Sequence, residues 1–325
     1  MKLTKKEITE ISRLYNLGRV VSVKTISGGS MNFNFDFKTD KGDFIVRVIG
    51  KKLNAKKKRQ LQLEFRALDF LDKKKFLYET PLPIKNNKNN YLSKIKNKNI
   101  WVYKKIKGRI VKNINSSQLK EMIRSLAFYH KSINKFPIKS KKEKDEMIGI
   151  KKELLNMKKV KPKKKTDILM LKNIDMIINM FERIKNKRFE QNILLVHMDL
   201  HKKNILYKGD KVVGILDFEN IKIAPRIRDI AYLIKTTIDY GEKRFMKRVN
   251  IIIKEYDKVN PLTKTEKKDI LLILARDSCE AFYYFYKYNS IKASDGDYLD
   301  GDYLCLNWTI NTAKQIVREL NWSLK

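Results

Sequence analysis

Between Val20 and Val48 apolar residues alternate with polar ones: "VVSVKTI", a Gly-Gly pair, then "NFNFDFKTDKGDFIVRVI", where Phe33, Phe35 and Phe37 recur at every second position. Period two is the spacing of a half-buried strand, and "TDKGD" between two such runs reads as a hairpin turn, so a twisted antiparallel sheet is predicted. The period then changes. In "RQLQLEFRALDFL" Leu61, Phe65 and Leu68 share one helical face, and Glu64, three after Leu61 and four before Leu68, sets a carboxylate on it. A basic, Asn-rich stretch leads to "NIWVYKKIKG", read as a strand ending at Gly108. Helical spacing dominates beyond it, near residues 116–133, 142–158 and 166–187, with "KKVKPKKKT" as an interruption. Short strands follow in "NILLVH" and "NILYKGDKVVGILDF", then further helices. This order predicts an α+β chain: a mainly β N-terminal lobe over residues 1–105 and a mainly α C-terminal lobe over residues 106–325. No solenoid repeat is present, and no uninterrupted apolar run approaches the ~20 residues of a membrane span.

Composition changes the picture in one respect. At 325 residues, 42% hydrophobic and 10% aromatic, the chain is that of a folded protein with room for two domains. Its 73 Lys+Arg against 36 Asp+Glu give a net charge of +37, which by itself invites a nucleic acid or an anionic membrane. The lysines are nevertheless spread along almost the whole chain among Ile and Asn, the bias that an A/T-rich coding sequence imposes. Nucleic acid is therefore not the expected partner. Cys279 and Cys305 form neither a metal-ligand spacing nor a disulfide framework, and the N-terminus lacks an apolar signal core, so the cytoplasm is the expected compartment.

Candidate chemistry gathers in "VHMDLHKKNILYKGDKVVGILDFEN", Val196 to Asn220. If Lys208-Gly209-Asp210 closes a hairpin, facing residues have numbers summing to about 419, so Asn204 falls near Ile215 and Asp217 near Lys202, at one open end. Asp199 lies in the loop entering that end. Three oxygen-bearing side chains there suit a hard cation such as Mg²⁺ when a phosphate completes its coordination, and a carboxylate left off the metal can take a proton from an attacking hydroxyl. His-x-Asp-x-x-x-x-Asn followed by Asp-Phe is the two-part pattern of protein-kinase-like phosphoryl transfer.

On these residues the chain resembles a known family. "HMDLHKKNIL" and "GILDFENIKIAPRIRDIAYL" are similar to the signature segments of the aminoglycoside phosphotransferase and choline kinase superfamily, which includes homoserine-kinase-like members. Asp217-Phe218-Glu219 in place of Asp-Phe-Gly, and no Ala-Pro-Glu downstream, separate it from the protein kinases. The resemblance implies a two-lobed, protein-kinase-like fold with ATP and Mg²⁺ as cofactors. Asp199 would be the base and substrate-positioning carboxylate, and Asn204 and Asp217 the metal ligands. His197 would brace the catalytic loop and Asp229 would anchor it, although Asp229 also reads as a helix N-cap. His130 is expected to pack within its helix.

For the nucleotide, "SGGSMNFNF" offers Gly28, Gly29 and Ser30 as a phosphate-approaching turn, with Asn32 following it. The resemblance gives Arg47 to the phosphates. Glu64 would be its helix partner, since a carboxylate on an apolar face calls for a cation. Tyr103, Lys104, Lys105 and Ile106 would receive the base through backbone groups, so their side chains do not separate ATP from GTP. The implied acceptor is a small-molecule hydroxyl, with aminoglycosides, choline or ethanolamine, and homoserine as classes. Glu280, Asp295 and Asp297, beside the aromatic run "AFYYFYKY", could hold an amine through charge and cation–π contacts. A basic nucleic-acid binder on a kinase-like scaffold and a protein kinase are the alternatives.

Overall fold

The computed structural model describes residues 1–26, 32–50, 53–138, 150–162, 165–237, 245–290 and 303–322. The helix α1 (Lys5–Leu14) opens on a capping box in which Thr4 and Glu7 satisfy each other's backbone N–H. Five strands then make one antiparallel sheet, ordered β1 (Val20–Ile26), β2 (Asn32–Thr39), β3 (Gly42–Ile49), β5 (Lys98–Lys104) and β4 (Ser93–Ile95). The predicted turn closes at Asp40–Lys41, with Thr39 facing Gly42. Alternation sorts the side chains as expected: Phe35, Phe37, Val46, Val48, Ile100 and Val102 pack with Ile11, Tyr15 and Leu17, while Ile45, Trp101 and Tyr103 face Phe65 on the other side. Phe65 belongs to α2 (Ala55–Lys73), whose buried stripe includes Glu64, Ala67, Leu68 and Leu71.

Compactness divides the chain into two units. The first comprises Met1–Phe136 and Asp199–Lys222; the second comprises Pro137–Met198 and Ile223–Lys325. In the first unit the sheet and α2 are joined by α3 (Ser116–Ile133) and by the hairpin of β7 (Ile205–Lys208) and β8 (Lys211–Ile215). β5 ends at Lys104 rather than at Gly108, because the chain leaves the sheet there and binds the hairpin instead. Arg109 and Tyr207 exchange both backbone hydrogen bonds at 2.9 Å. Two glycines permit that approach. A Cβ on Gly108 would stand 2.8 Å from Val213 Cγ2, and one on Gly214 would stand 2.8 Å from Ile106 Cγ2.

The second unit is helical: α4 (Ile150–Met157), α5 (Lys165–Leu171), α6 (Ile174–Ile184), α7 (Ile227–Thr237), α8 (Phe245–Asp257), α9 (Lys264–Ser290) and α10 (Tyr303–Glu319), with the short pair β6 (Ile193–Val196) and β9 (Lys222–Pro225). The helix expected over 166–187 is two helices, and the Asn173 side chain at the break donates to Leu169 O at 2.8 Å. Of the helix expected over 142–158, residues 142–149 lie outside the described residues. α9 packs on α6, α7 and α10, and its first turn is fixed by a buried ion pair in which Glu266 accepts from Arg226 Nε at 2.7 Å and Nη2 at 2.8 Å. Glu266 also closes a capping box with Thr263. Among the described residues no helix is long and apolar enough to cross a membrane.

Candidate active site

The hairpin that carries the motif is tighter than simple alternation predicts. Lys208 faces Lys211 and Tyr207 faces Val212, but a bulge between Leu206 and Tyr207 moves the pairing by one, so that Ile205 faces Ile215. Asn204 O then accepts from Leu216 N at 2.8 Å, and Asn204 and Asp217 come out at the same open end. Asn204 Nδ2 donates to the Asp199 backbone carbonyl at 2.8 Å and to Asp199 Oδ2 at 3.2 Å. His201 caps the short turn between them: its Nδ1 accepts from Lys203 N at 3.2 Å, and its Nε2 lies 3.4 Å from Asp199 Oδ1.

Asp217 occupies the left-handed region at φ 64°, a conformation uncommon outside glycine that redirects the chain into the turn Phe218–Asn220. Phe218 is buried and meets the Tyr129 ring of α3 edge-on at 5.9 Å, and His130 packs beside Tyr129 in the same helix. Gln60 of α2 donates to the carbonyls of Glu219 and Ile221 at 3.0 and 2.8 Å, tying the same turn to the helix under the sheet.

That turn brings Asp217 Oδ1 to 3.5 Å from Arg47 Nη1. Arg47 Nε donates to Asn34 at 3.1 Å, and its guanidinium lies 5.5 Å from the Trp101 ring centroid. Here the expected pairing of Arg47 with Glu64 is corrected. Arg47 makes its ion pair with Asp217, and Glu64 attracts it only at longer range. Glu64 is 2% exposed with no hydrogen bond at Oε1. Burial pushes its carboxyl up to about 8, against the pull of Arg47. Burial alone would lower the Arg47 guanidinium, but Asp217, Tyr103, Glu64 and Glu219 together hold it above its usual value.

Glu219 is the site residue that the motif reading passed over. Asn32 Nδ2 donates to its Oε2 at 2.6 Å, and burial followed by repulsion from Asp217 raises its carboxyl. Asn34 was within reach of sequence reasoning, since period two puts it on the face of Asn32; Trp101 was not, because its place beside Arg47 depends on strand register. Tyr103 pairs with Ile45 at the end of β5, Lys105 Nζ contacts Asp36 Oδ2 at 2.6 Å, and Ile106 is buried. Lys104 is the last residue of β5, exposed at its edge. Gly28, Gly29, Ser30, Asp295 and Asp297 lie outside the described residues.

The donors can be tested against a divalent cation. Among the described residues no three His, Cys, Asp or Glu side chains form a metal cage. What exists is one amide and one carboxylate whose buried Oδ1 lacks any hydrogen bond, with a second carboxylate, Glu219, repelled by it. Such a set is incomplete without phosphate oxygens and fits a hard cation that arrives with them.

In the second unit Asp229 stands in the first turn of α7, and its carboxylate is spent outside the helix. It accepts from His197 N at 2.7 Å and from Met198 N at 2.6 Å. Met198, at φ 63°, is held in the left-handed region immediately before Asp199. Glu280 lies on α9, where Arg276 Nε donates to it at 3.0 Å.

A sequence profile of the phosphotransferase enzyme family, APH, matches residues 22–256. A homoserine kinase from Chelativorans sp. is 21% identical over 301 residues, spanning 90% of this chain and 88% of its own. One from Zymomonas mobilis subsp. mobilis is 22% identical over 279 residues, spanning 83% and 82%. Among solved structures, an aminoglycoside phosphotransferase from Alicyclobacillus acidocaldarius aligns with a TM-score of 0.72 at 14% identity, over 99% of this chain and 96% of that one. A spectinomycin phosphotransferase, solved with ADP and spectinomycin, aligns with a TM-score of 0.68 at 13% identity, over 97% and 99%. The fold is that of these kinase-like enzymes, and with most of its length matched by the profile the chain belongs to the phosphotransferase enzyme family and is itself a phosphotransferase.

Proposed function

We propose that the protein moves the γ-phosphate of ATP to a hydroxyl group of a small molecule in the cytoplasm. The observation that carries this reading is the grouping of Asp199, Asn204, Asp217 and Arg47 in one compact unit, with a buried Asp217 oxygen lacking a hydrogen bond. The hydroxyl oxygen of the acceptor bonds to the γ-phosphorus, the bond from that phosphorus to the β–γ bridging oxygen breaks, and ADP leaves with its electron pair. Asp199 orients the hydroxyl and takes its proton. Arg47 binds phosphate oxygens in place of its ion pair with Asp217. Asn204 and Asp217 would hold Mg²⁺, which neutralises charge developing on the phosphates. Asn32, Arg47 and Glu64 with residues 103–106 form the nucleotide-binding part. The division at residue 105 is one of role, since compactness assigns residues 106–136 and 199–222 to the unit holding the sheet.

Support comes also from relatives: the spectinomycin enzyme was solved with ADP, and an amicoumacin kinase with AMP-PNP and Ca²⁺. The acceptor belongs to the amine-bearing classes, with aminoglycosides, choline or ethanolamine, and homoserine to be compared. The test is ADP release from Mg²⁺-ATP across these compounds. Asp217→Asn and Asp199→Asn should each lower kcat at least about 10³-fold in proteins that still fold cooperatively. Retained turnover in either variant would remove that residue from the site.

A further inference from the structure

Asp217 stands at φ 64° and ψ 66°, a region that a residue with a Cβ enters at a cost, so its neighbours have to hold it there. Upstream the hairpin does so, since Leu216 N donates to Asn204 O at 2.8 Å. Downstream lies the turn Phe218–Asn220, only three residues long, whose closing bond from Ile221 N to Phe218 O is extended to 3.4 Å. A second anchor therefore has to come from outside the turn. It comes from α2: Gln60 Nε2 donates to Glu219 O at 3.0 Å and to Ile221 O at 2.8 Å. One side-chain amide, with its two N–H groups, thus satisfies two backbone carbonyls that so short a turn leaves without a ladder.

Asn32 also reaches this turn, but it bonds the Glu219 carboxylate and not the backbone. Gln60 is placed differently. It lies one helical turn before Glu64, on the same face of α2. Glu64 attracts Arg47, and Arg47 pairs with Asp217. That face of α2 therefore bears on both members of the Arg47–Asp217 pair, through charge on one side and through the backbone after Asp217 on the other, all within the first unit.

We propose that Gln60 is a positioning residue of the phosphotransfer site: its two hydrogen bonds keep Asp217 left-handed, with the carboxylate at the open end of the hairpin beside Asn204. This rests on the metal role proposed for Asn204 and Asp217. Without the amide the turn loses its downstream anchor, Asp217 relaxes toward negative φ, and its carboxylate turns away from Asn204. Both hydrogen bonds go to the turn and neither goes to residues 103–106, so the loss falls on the cation and not on the metal-free nucleotide.

The test uses the full-length chain and two main variants. Gln60→Met removes both donors at nearly the same length and adds no charge, whereas Gln60→His returns one N–H at a similar reach. Mn²⁺ is titrated into the ADP complex of each protein and followed by electron paramagnetic resonance. ADP binding in EDTA is measured by calorimetry, and thermal unfolding establishes that each variant is folded. The Kd for Mn²⁺ should rise about tenfold or more in Gln60→Met, with partial recovery in Gln60→His, while the Kd for metal-free ADP stays within about twofold. The Mg²⁺ concentration for half-maximal ADP release should rise in parallel. An unchanged Mn²⁺ affinity in a folded Gln60→Met protein would overturn the proposal. So would equal weakening of Mn²⁺ and of metal-free ADP, which would make Gln60 a general support of the fold. If Gln60→Met does not fold, Gln60→Asn, whose amide falls one methylene short of the two carbonyls, takes its place with the same expectation. The metal role itself is judged by Asp217→Asn: Mn²⁺ held as tightly as by the wild type would end that reading and the proposal with it, whereas binding that needs Asp217 but not Gln60 ends the proposal alone.

Discussion

Two side chains on adjacent elements carry the electrostatic tension of the site. Glu64 is buried without a hydrogen bond at Oε1, and Arg47, the cation that attracts it, is committed to Asp217 and Asn34. Its carboxyl, lifted to about 8 by burial, keeps a proton in the folded chain that the unfolded chain gives up near 4.5. Folding is thus unopposed by this group below pH 4.5. Stability falls as the pH climbs from there to 8, because only the unfolded state gains by ionising, and the loss levels off above 8. Urea unfolding of the wild type and of Glu64→Gln should diverge by on the order of 3 kcal/mol between pH 5 and 8, with the variant flat. Parallel profiles would mean that Glu64 ionises in the fold as it does in water. Gln also mimics the protonated acid, so at pH 7 this variant should keep its ATP use, whereas Glu64→Ala, which opens a cavity under β3, should weaken it.

At the scale of elements, contacts between backbones decide where these side chains stand. β8 touches both Ile106 and the Glu79 carbonyl through Gly214, where a methyl group would meet Ile106 Cγ2 at 2.8 Å and Glu79 O at 3.2 Å. Gly214→Ala should cost about 1–3 kcal/mol by overpacking. It should also raise the KM for ATP more than that for the acceptor, since the shift falls on residue 106; an equal rise in both would place the strain elsewhere. In the helical unit, Glu266→Ala removes a capping box and leaves Arg226, which is 7% exposed, without its buried partner. A loss of about 3–5 kcal/mol is expected in thermal or urea unfolding. The elements themselves were legible from periodicity: period two through Phe33, Phe35 and Phe37, and helical spacing through Leu61, Phe65 and Leu68. Pairings were less so. The bulge at Leu206, the exit of the chain at Lys104 and the break at Asn173 are decided by backbone hydrogen bonds to distant or competing partners, which local spacing does not encode. Arg47 and Glu64 were expected to form an ion pair, whereas Arg47 pairs with Asp217, whose backbone is in the left-handed region.

For the whole molecule the question is what a net charge of +37 does to a protein whose proposed chemistry rests on a few carboxylates. The resemblance of the two motif segments to the family did not depend on that charge, and the match over residues 22–256 bears the resemblance out. The charge still acts through self-repulsion, which opposes the compact state and weakens as salt screens it. Between about 0.01 M and about 0.1 M sodium chloride the screening length falls from about 30 to about 10 Å, so the thermal midpoint should rise with salt over this range. A midpoint that stays level would mean that local ion pairs already balance the lysines. The same titration separates the two classes of function. Affinity for DNA arising from scattered lysines should fall steeply with salt, because it depends on counterion release. ADP formation that requires Asp199 should persist, because its charges are packed into a site where salt screens poorly. If instead DNA were held at physiological salt and no acceptor released ADP, the basic surface would be the functional one and the kinase constellation a scaffold.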